Sequence, residues 1–400
     1  MTGVFTRFPL HVELPALTAE RLAALDDATV IDLRSPGEFA EDHVPGAVNV
    51  PLFGDRDRAL IGTLYRQSSP VAAFDEAKRI VHTRIHELVA AIAAAAEWDC
   101  VPRELDEGVD ALTRGGLAGL ERALECVPAT RLPARPVVLH CWRGGLRSRS
   151  VVALLRALGF DRALVLEGGY RAYRAQVMAE LEAFAAPCTY TLRGLTGVGK
   201  TLVLRELERI RPLWTLDLEE LAQHRSSILG AVGLEPVSQR RFESRLCARL
   251  AQGRARVLVV EGESRKVGDC IVPRRVWSAM ATATHFEIVA PLERRIAVLR
   301  ADYLAHADAR DDVARALAFI DERLGLADAE SLAARFERGE VEQVVRTLLE
   351  RYYDPLYRHG ERGNRYAARF DASDPARAAR EIAAWLEREH GIATESRATA

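Results

Sequence analysis

The 400-residue sequence has no apolar run long enough to cross a membrane and only six cysteines, none of them in a CxxC pair. A membrane-spanning helix needs about 20 apolar residues, and the segment after Met1 lacks the apolar core of a signal peptide. We therefore expect a soluble, cytoplasmic chain with no membrane partner. The cysteines, at positions 100, 126, 141, 188, 247 and 270, indicate neither a zinc site nor a disulfide framework, and no metal ligands are predicted among them.

Lysine is also scarce, since only three lysines occur among the 55 basic residues. Where arginine is the default, a lysine indicates that a compact ammonium is required, and Lys200 and Lys266 both lie in candidate motifs. The basic residues are unevenly placed: residues 238–300 contain 13 Lys and Arg against 6 Asp and Glu. This asymmetry is typical of a nucleic-acid-binding surface, although a solvated helix face explains it equally well.

Alternating strands and helices predict an α/β fold for residues 1–169. Val30–Leu33 and Pro136–His140 have the pattern of buried strands, and ligands bind such sheets at the carboxyl ends of the strands. A helical insertion is predicted at about residues 53–135. Within it, Gly62–Gln67 is interpreted either as an ordinary loop or as a segment that contacts the substrate. Helical spacing predicts one buried face in this insertion: Val81, Ile85, Leu88 and Ile92.

A cysteine followed by glycines and arginines stands at the end of a predicted strand, in the string His-Cys-Trp-Arg-Gly-Gly-Leu-Arg-Ser at 140–148. Loop amides and the positive end of a following helix, predicted over Ser150–Leu158, stabilise a thiolate or a bound oxyanion. We therefore predict a reactive thiol at Cys141, with Arg143 and Arg147 as oxyanion clamps. The candidate site residues of this loop are Cys141, Trp142, Arg143, Gly144, Gly145 and Arg147.

Two families share this loop chemistry. The spacing His-Cys-x5-Arg-Ser fits cysteine phosphatases, whereas the strings at 32–39 and 43–51 resemble rhodaneses, sulfurtransferases that carry sulfur as a persulfide. These upstream strings favour the rhodanese fold. The loop from Cys141 to Arg147 is one residue longer than the usual rhodanese loop, which indicates a pocket for a bulkier, phosphate-like oxyanion. Trp142 either stacks on a nucleobase or packs into the domain.

Residues 187–390 predict a P-loop NTPase-like α/β domain with helical additions, reached through a linker helix at 170–186 and followed by a disordered tail at 391–400. Strand Thr189–Arg193 leads into Gly-x-x-x-x-Gly-Lys-Thr, and a helix continues from Leu202. Amides of a P-loop cradle a di- or triphosphate, its lysine reaches the outer oxygens, and its threonine hydroxyl can hold Mg²⁺. The predicted phosphate-binding residues are Gly194, Gly197, Val198, Gly199, Lys200 and Thr201.

Other polar residues are expected around the same cleft. Glu261 lies at the end of a second apolar strand. It is interpreted either as the acidic residue expected on the Mg²⁺ side of a P-loop or as a structural carboxylate. Asp217–Glu219 and His224–Ser226 follow another strand end. A helix over 238–253 can present guanidinium groups to RNA phosphates. The candidate RNA or substrate contacts are Arg240, Arg241, Arg265 and Lys266, and the basic patch extends to Arg245, Arg249, Arg274, Arg275, Arg294 and Arg295.

The combination of the thiol loop and the P-loop in one chain resembles the tRNA 2-selenouridine synthase family. The resemblance covers nearly the whole chain. Further matching strings are Gly62–Tyr65, Asp217–Glu219, residues 236–243, Glu-x-Glu-Ser-Arg-Lys-Val-Gly at 261–268, and Tyr353–Tyr357. Ser226 departs from the family, which usually has glycine after His-Arg. The resemblance implies replacement of sulfur by selenium at C2 of a wobble 2-thiouridine, with selenophosphate and geranyl diphosphate as co-substrates and no tightly bound cofactor.

In the implied scheme the sulfur is first geranylated, and selenium then displaces geranylthiol. The P-loop would hold the departing diphosphate, and Cys141 would act as nucleophile or as selenium carrier. The implied partners are a tRNA anticodon arm and an enzyme that produces selenophosphate. Two alternatives remain open: a rhodanese-fold cysteine phosphatase or sulfurtransferase with a nucleotide-binding regulatory domain, and a nucleotide-dependent RNA-binding switch without enzymatic activity.

Overall fold

The computed structural model describes residues 12–99, 104–253, 256–262, 264–304, 310–327, 330–356 and 363–392. The chain forms two compact units, one ending at Ala179 and the other beginning at Glu180. Each unit is built on a parallel sheet with helices, which confirms the predicted α/β class. The tail predicted at 391–400 lies outside the described residues from position 393 onward.

The first unit contains a six-stranded sheet. Its strands are β1 (Val12–Leu17), β2 (Thr29–Asp32), β3 (Val48–Asn49), β4 (Leu124–Pro128), β5 (Val137–His140) and β6 (Ala163–Leu166). Its helices are α1 (Ala19–Ala23), α2 (Pro36–Glu41), α3 (Asp55–Gln67), α4 (Pro70–Ala96), α5 (Leu105–Thr113), α6 (Gly116–Ala123), α7 (Leu146–Ala157) and α8 (Gly169–Ala183), whose last residues extend past Ala179. The sheet order is β3-β2-β5-β6-β1-β4, and all neighbours are parallel.

Burial explains why β5 and β6 occupy the middle of this sheet. All four residues of each strand are buried, as expected for strands covered by helices on both faces. In the β2–β5 register, Asp32 lies opposite His140. The carboxyl ends of these strands are therefore adjacent, and the loop that begins at Cys141 leaves the sheet beside the segment that begins at Leu33.

The region predicted as a helical insertion contains helices α3, α4, α5 and α6, and two of its details differ from the prediction. In α4, Ile85, Leu88 and Ile92 are buried and Val81 packs against the same core. Gly62–Gln67 belongs to helix α3, so its interpretation as an ordinary loop was wrong. The insertion also contributes strand β4, which pairs with β1 at the sheet edge. Neither strand was predicted. In β4 only the first residue is buried, so its sequence lacks the alternation of buried and exposed residues that indicates a strand.

The second unit contains a five-stranded sheet, a small hairpin and additional helices. Its strands are β7 (Cys188–Arg193), β8 (Thr215–Leu216), β9 (Val257–Glu261), β10 (Lys266–Val267), β11 (Cys270–Ile271), β12 (Thr284–Val289) and β13 (Tyr366–Asp371). Its helices are α9 (Lys200–Ile210), α10 (Leu218–Ala222), α11 (Gln239–Ala251), α12 (Arg274–Ala281), α13 (Leu292–Leu304), α14 (Arg310–Leu324), α15 (Leu332–Glu337), α16 (Val341–Thr347), a π-helix (Leu348–Tyr353) and α17 (Pro375–His390).

The parallel sheet of this unit has the order β13-β12-β7-β9-β8. One core lies between this sheet, α9 and α17. A second core, which we call the helical cluster, consists of apolar residues from α13, α14, α15, α16 and the π-helix together with Leu229 and Val232. Across the described residues of both units, no helix is long and apolar enough to cross a membrane.

Ser226 has a left-handed backbone, with φ of 49°. This conformation favours glycine, because a side chain there crowds the backbone. The Ser226 hydroxyl is also buried and has no hydrogen-bond partner in the described part of the chain. Its N–H donates to His224 Nδ1 at 3.1 Å, a contact that glycine would keep.

We therefore expect Ser226→Gly to raise the free energy of unfolding by up to about 1 kcal/mol in urea denaturation. Gln223→Gly is the matched comparison. It also relieves a positive φ of 51°, but it removes side-chain hydrogen bonds to Glu220, so its gain should be smaller. A loss of stability in Ser226→Gly would contradict this account.

Candidate functional site

The Cys141 loop is held between β5 and the start of α8. The carbonyl oxygens of Cys141 and Trp142 accept hydrogen bonds from the N–H groups of Tyr170 and Arg171, at 2.9 and 3.0 Å. The two chains approach so closely that a Cβ on Gly144 would lie 2.8 Å from the Leu166 carbonyl oxygen. Since these carbonyls point towards α8, the loop can turn amides towards the thiol.

The charge of Arg147 and several hydrogen-bond donors act on the Cys141 thiol, which is 2% exposed. Burial alone would raise its pKa. The charge of Arg147 and hydrogen bonds from the Ser148 hydroxyl and the backbone N–H groups of Ser148 and Arg143 outweigh burial, so the pKa of Cys141 lies below its ordinary value. The site therefore stabilises the thiolate relative to that of a cysteine in water.

Ser148 can respond to the protonation state of the thiol. Its hydroxyl lies 3.4 Å from Cys141 Sγ and 3.3 Å from the Gly145 carbonyl oxygen. A hydroxyl has one proton to donate. With a neutral thiol, Ser148 can donate to Gly145 and accept from Cys141; with a thiolate, the same proton can turn towards sulfur.

A buried polar network supports the loop from behind. Arg34 is 1% exposed and binds Asp32, with Nε 3.0 Å from Oδ1 and Nη2 2.6 Å from Oδ2. The Arg34 guanidinium lies over the Tyr170 ring at 3.7 Å, and the Tyr170 hydroxyl donates to Asp42 Oδ2 at 2.7 Å. These contacts fix the start of α8, to which the loop is bound. Sequence reasoning did not identify Tyr170 or Asp42 as supports of this loop.

The other predicted residues of this loop are differently exposed. Arg143 is exposed, whereas Arg147 and Trp142 are half-buried. The Trp142 ring packs against Tyr170 with ring centroids 5.3 Å apart. Helix α7 begins at Leu146, four residues earlier than predicted, so Arg147 lies in its first turn. The start of α7 thus adds the positive end of its dipole to the loop.

The P-loop connects β7 to α9 with backbone conformations that favour glycine. Gly194, Gly197 and Gly199 have φ values of 149°, 77° and 90°. A Cβ on Gly194 would overlap the Ile288 carbonyl oxygen, and one on Gly197 would lie 3.0 Å from the Arg295 carbonyl oxygen. The Lys200 ammonium donates to the Gly194 carbonyl oxygen at 3.2 Å. The side chain therefore reaches from the end of the P-loop back to its first residue.

Glu261 lies beside the threonine of the P-loop. In the β7–β9 register it pairs with Leu192, and the Thr201 hydroxyl donates to Glu261 Oε1 at 2.8 Å. Glu261 is 1% exposed. A hydroxyl and a carboxylate so placed are oxygen ligands of the kind that Mg²⁺ prefers.

The P-loop cleft is also lined by Arg225, as predicted, and by residues that no motif revealed, including Arg205 and Asp302. Burial raises the pKa of Asp302, while Arg225 and Arg205 oppose that effect. Glu219 lines the cleft as predicted, but the His224 side chain packs against Gly230 and Gly268 instead. Asp302 lies on α13, far along the sequence from the loop, and nothing local distinguishes it.

Two arginines of the predicted basic patch bind other parts of the protein in the structure. Arg249 binds Glu208 and the Thr215 carbonyl oxygen, because it points inward from α11. Arg295 is 5% exposed, pairs with Asp354 and donates from Nε to the Thr196 carbonyl oxygen at 2.8 Å. Arg295 therefore braces the P-loop, and its assignment to an exposed patch was wrong.

Four candidate RNA contacts remain accessible. Arg240, Arg265 and Lys266 are exposed, and Arg241 is half-buried. Lys266 Nζ lies 3.1 Å from Asp269, an exposed pair of the kind that contributes little to stability. Glu263 and Tyr357, which belong to the matching strings, lie outside the described residues.

Comparisons with known proteins match both units. Residues 188–391 match the family model described as "tRNA 2-selenouridine synthase AAA domain", and residues 16–112 and 115–176 match the rhodanese-like domain. A tRNA 2-selenouridine synthase of Chromohalobacter salexigens is 32% identical, over 87% of this chain and 91% of that protein. That of Aeromonas salmonicida is 31% identical, over 86% of this chain and 90% of that protein. That of Cronobacter sakazakii is 30% identical, over 85% of this chain and 91% of that protein.

The electrostatics of the loop predict how Cys141 reacts with iodoacetamide as the pH is changed. The thiolate is the reactive form, so a lowered pKa moves the onset of alkylation to lower pH. Arg147→Gln should move that onset upward. Cys126 is an internal control, because burial raises its pKa, with Glu167 in the same direction and Arg149 opposing. Peptide mass spectrometry would measure both rates, and an unchanged profile of Cys141 in Arg147→Gln would contradict the assigned cause.

Proposed function

This chain belongs to the tRNA 2-selenouridine synthase family, and from that premise we propose that it replaces the C2 sulfur of a wobble 2-thiouridine in tRNA with selenium. The route we propose passes through an S-geranylated intermediate and uses geranyl diphosphate and selenophosphate. The observation that carries the proposal is that one chain joins a thiol of lowered pKa in an anion-binding loop to a complete P-loop cleft.

In the first step the thiocarbonyl sulfur attacks C1 of geranyl diphosphate. The S–C1 bond forms, the C1–O bond breaks, diphosphate leaves, and the N3 proton of the base passes to solvent. The P-loop amides and Lys200 stabilise the negative charge that develops on the diphosphate. This alkylation converts a poor leaving group at C2 into a thiolate leaving group.

Mg²⁺ fits this cleft as a second source of positive charge. The Thr201 hydroxyl and Glu261 would hold it, directly or through water. Among the described residues, no three His, Cys, Asp or Glu side chains are grouped closely enough to hold a metal ion. Most ligands would therefore come from diphosphate and water, as is usual for Mg²⁺ at phosphate sites.

In the second step selenophosphate binds at the Cys141 loop. The Cys141 thiolate attacks phosphorus, the S–P bond forms, the P–Se bond breaks, and hydrogen selenide anion leaves. This anion adds to C2 of the base, the C2–S bond breaks, and geranylthiolate leaves and takes a proton from solvent. Water then hydrolyses the S–P bond, which restores Cys141 and releases phosphate. No oxidant or reductant is needed.

The length and charge of the loop support attack at phosphorus. A phosphoryl group has three oxygens to bind, and the loop offers the N–H groups of Arg143 and Ser148 together with Arg147 around the sulfur. As negative charge leaves sulfur during the attack, the Ser148 hydroxyl can turn back and donate its hydrogen bond to the Gly145 carbonyl oxygen. Exposed Arg240, Arg265 and Lys266 would contact phosphates of the anticodon arm, and a separate enzyme must supply selenophosphate.

Cys141→Ser should abolish selenium incorporation and leave geranyl transfer intact, because the thiol acts only in the second step. Nucleosides from tRNA incubated with both co-substrates, analysed by mass spectrometry, would then contain S-geranyl-2-thiouridine without 2-selenouridine. Cys126→Ser is the matched control and should behave as wild type. Loss of both modifications in a folded Cys141→Ser protein would refute this division of roles.

Lys200→Ala should lower the rate of geranyl transfer by at least about 100-fold, since one charge-assisted contact to a leaving diphosphate contributes on the order of 3 kcal/mol to the transition state. Single-turnover transfer to thiolated tRNA gives this rate directly. Lys78→Ala, which removes a lysine paired with Asp110 on the first unit, serves as control. An unchanged rate in Lys200→Ala would remove the P-loop from the reaction.

A further inference from the structure

An apolar pocket lies inside the helical cluster of the second unit. Its lining is entirely aliphatic or aromatic and includes Leu299, Leu317, Phe336, Val344, Leu348 and Tyr353. These side chains come from α13, α14, α15, α16 and the π-helix. A nucleoside in this position would leave its ribose hydroxyls and base edges without hydrogen-bond partners, which is strongly unfavourable in a buried site. The lining instead suits a hydrocarbon.

The pocket adjoins the P-loop cleft. Leu299 lines both spaces, and a Cβ on Gly197 of the P-loop would lie 3.2 Å from Leu299 Cγ. Tyr353, whose ring lines the pocket, has its hydroxyl close to Ser227, which lines the cleft. A ligand with an anionic head in the P-loop could therefore place an apolar tail behind Leu299.

The pocket is narrow in this structure, with about 20 Å³ of free space, roughly enough for one water molecule. A chain of several carbons requires the surrounding side chains to move. The wall that carries Leu348 and Tyr353 is a π-helix, a rare form that is frequent at functional sites. A shift of this segment towards regular α-helix would move both side chains. Such a movement is one way in which the wall of the pocket could adjust to a bound chain.

We propose that this pocket binds the hydrocarbon chain of the allylic diphosphate whose head lies in the P-loop. The assignment rests on the proposed function and adds to it the residues that select chain length. Each methylene removed from water strengthens binding, so the pocket would favour geranyl diphosphate over inorganic diphosphate and over the five-carbon dimethylallyl diphosphate. It would also direct C1 of the chain towards the cleft, where sulfur must attack.

Titration calorimetry with the full chain tests this assignment. Wild-type protein should bind geranyl diphosphate at least about tenfold more tightly than inorganic diphosphate. Val344→Phe fills the pocket and should abolish that difference while leaving the affinity for inorganic diphosphate unchanged. Phe336→Leu enlarges the pocket and should shift preference towards the fifteen-carbon farnesyl diphosphate. Thermal unfolding and the affinity for inorganic diphosphate report whether each variant is folded.

Phe319→Ala is the matched control, because Phe319 lies on α14 with Leu317 but is 47% exposed. It should bind inorganic, geranyl and farnesyl diphosphate as wild type does. Equal affinities of wild-type protein for inorganic and geranyl diphosphate would overturn the proposal. So would a folded Val344→Phe protein with the wild-type preference, or a Phe336→Leu protein whose chain-length preference is unchanged.

These binding results are separable from the proposed reaction. If geranyl diphosphate binds in the pocket but no S-geranyl nucleoside forms on thiolated tRNA, the pocket assignment stands and the proposed reaction fails. If the nucleoside forms and its rate and chain-length preference do not respond to Val344→Phe or Phe336→Leu, the reaction stands and the pocket assignment fails.

Discussion

The chemistry of this protein depends on concentrating positive charge around an anion that the fold has largely removed from water. At Cys141 burial opposes the thiolate, and Arg147, Ser148 and two backbone amides outweigh it. At the P-loop, backbone amides and Lys200 provide the corresponding environment for the diphosphate that we propose binds there. Both loops follow a strand of a parallel sheet and lead into a helix, so amides and helix dipole point towards the same place.

Buried ion pairs keep these two loops in position. Asp32–Arg34, with Tyr170 stacked on the guanidinium, supports the element that binds the Cys141 loop. Asp354–Arg295 supports a guanidinium that holds the Thr196 carbonyl oxygen of the P-loop. Removing one partner of such a pair leaves a buried charge unpaired, which typically destabilises a protein by about 3–5 kcal/mol. These two arginines therefore hold the loops in position, and our proposal assigns contact with RNA to arginines on the surface.

The sequence was most informative where the signal is local. A strand, a glycine loop and a helix follow one another directly around Lys200, and the same holds at Cys141, so both loops and the α/β class could be predicted. What could not be predicted depends on distant partners. Arg295 and Asp354 are 59 residues apart, and in the pairing of β1 with β4, Val12 lies opposite Leu124, 112 positions further along the chain. The π-helix and the apolar pocket likewise follow from packing between several helices, which periodicity in one helix does not reveal.

The central claim is that geranylation must precede selenation of the same base. It is tested most directly by a single-turnover time course with thiolated tRNA, in which each co-substrate is omitted in turn and nucleosides are measured by mass spectrometry. Without selenophosphate, S-geranyl-2-thiouridine should accumulate; later addition of selenophosphate should convert it to 2-selenouridine with release of geranylthiol. Formation of 2-selenouridine in the complete absence of geranyl diphosphate would contradict the account.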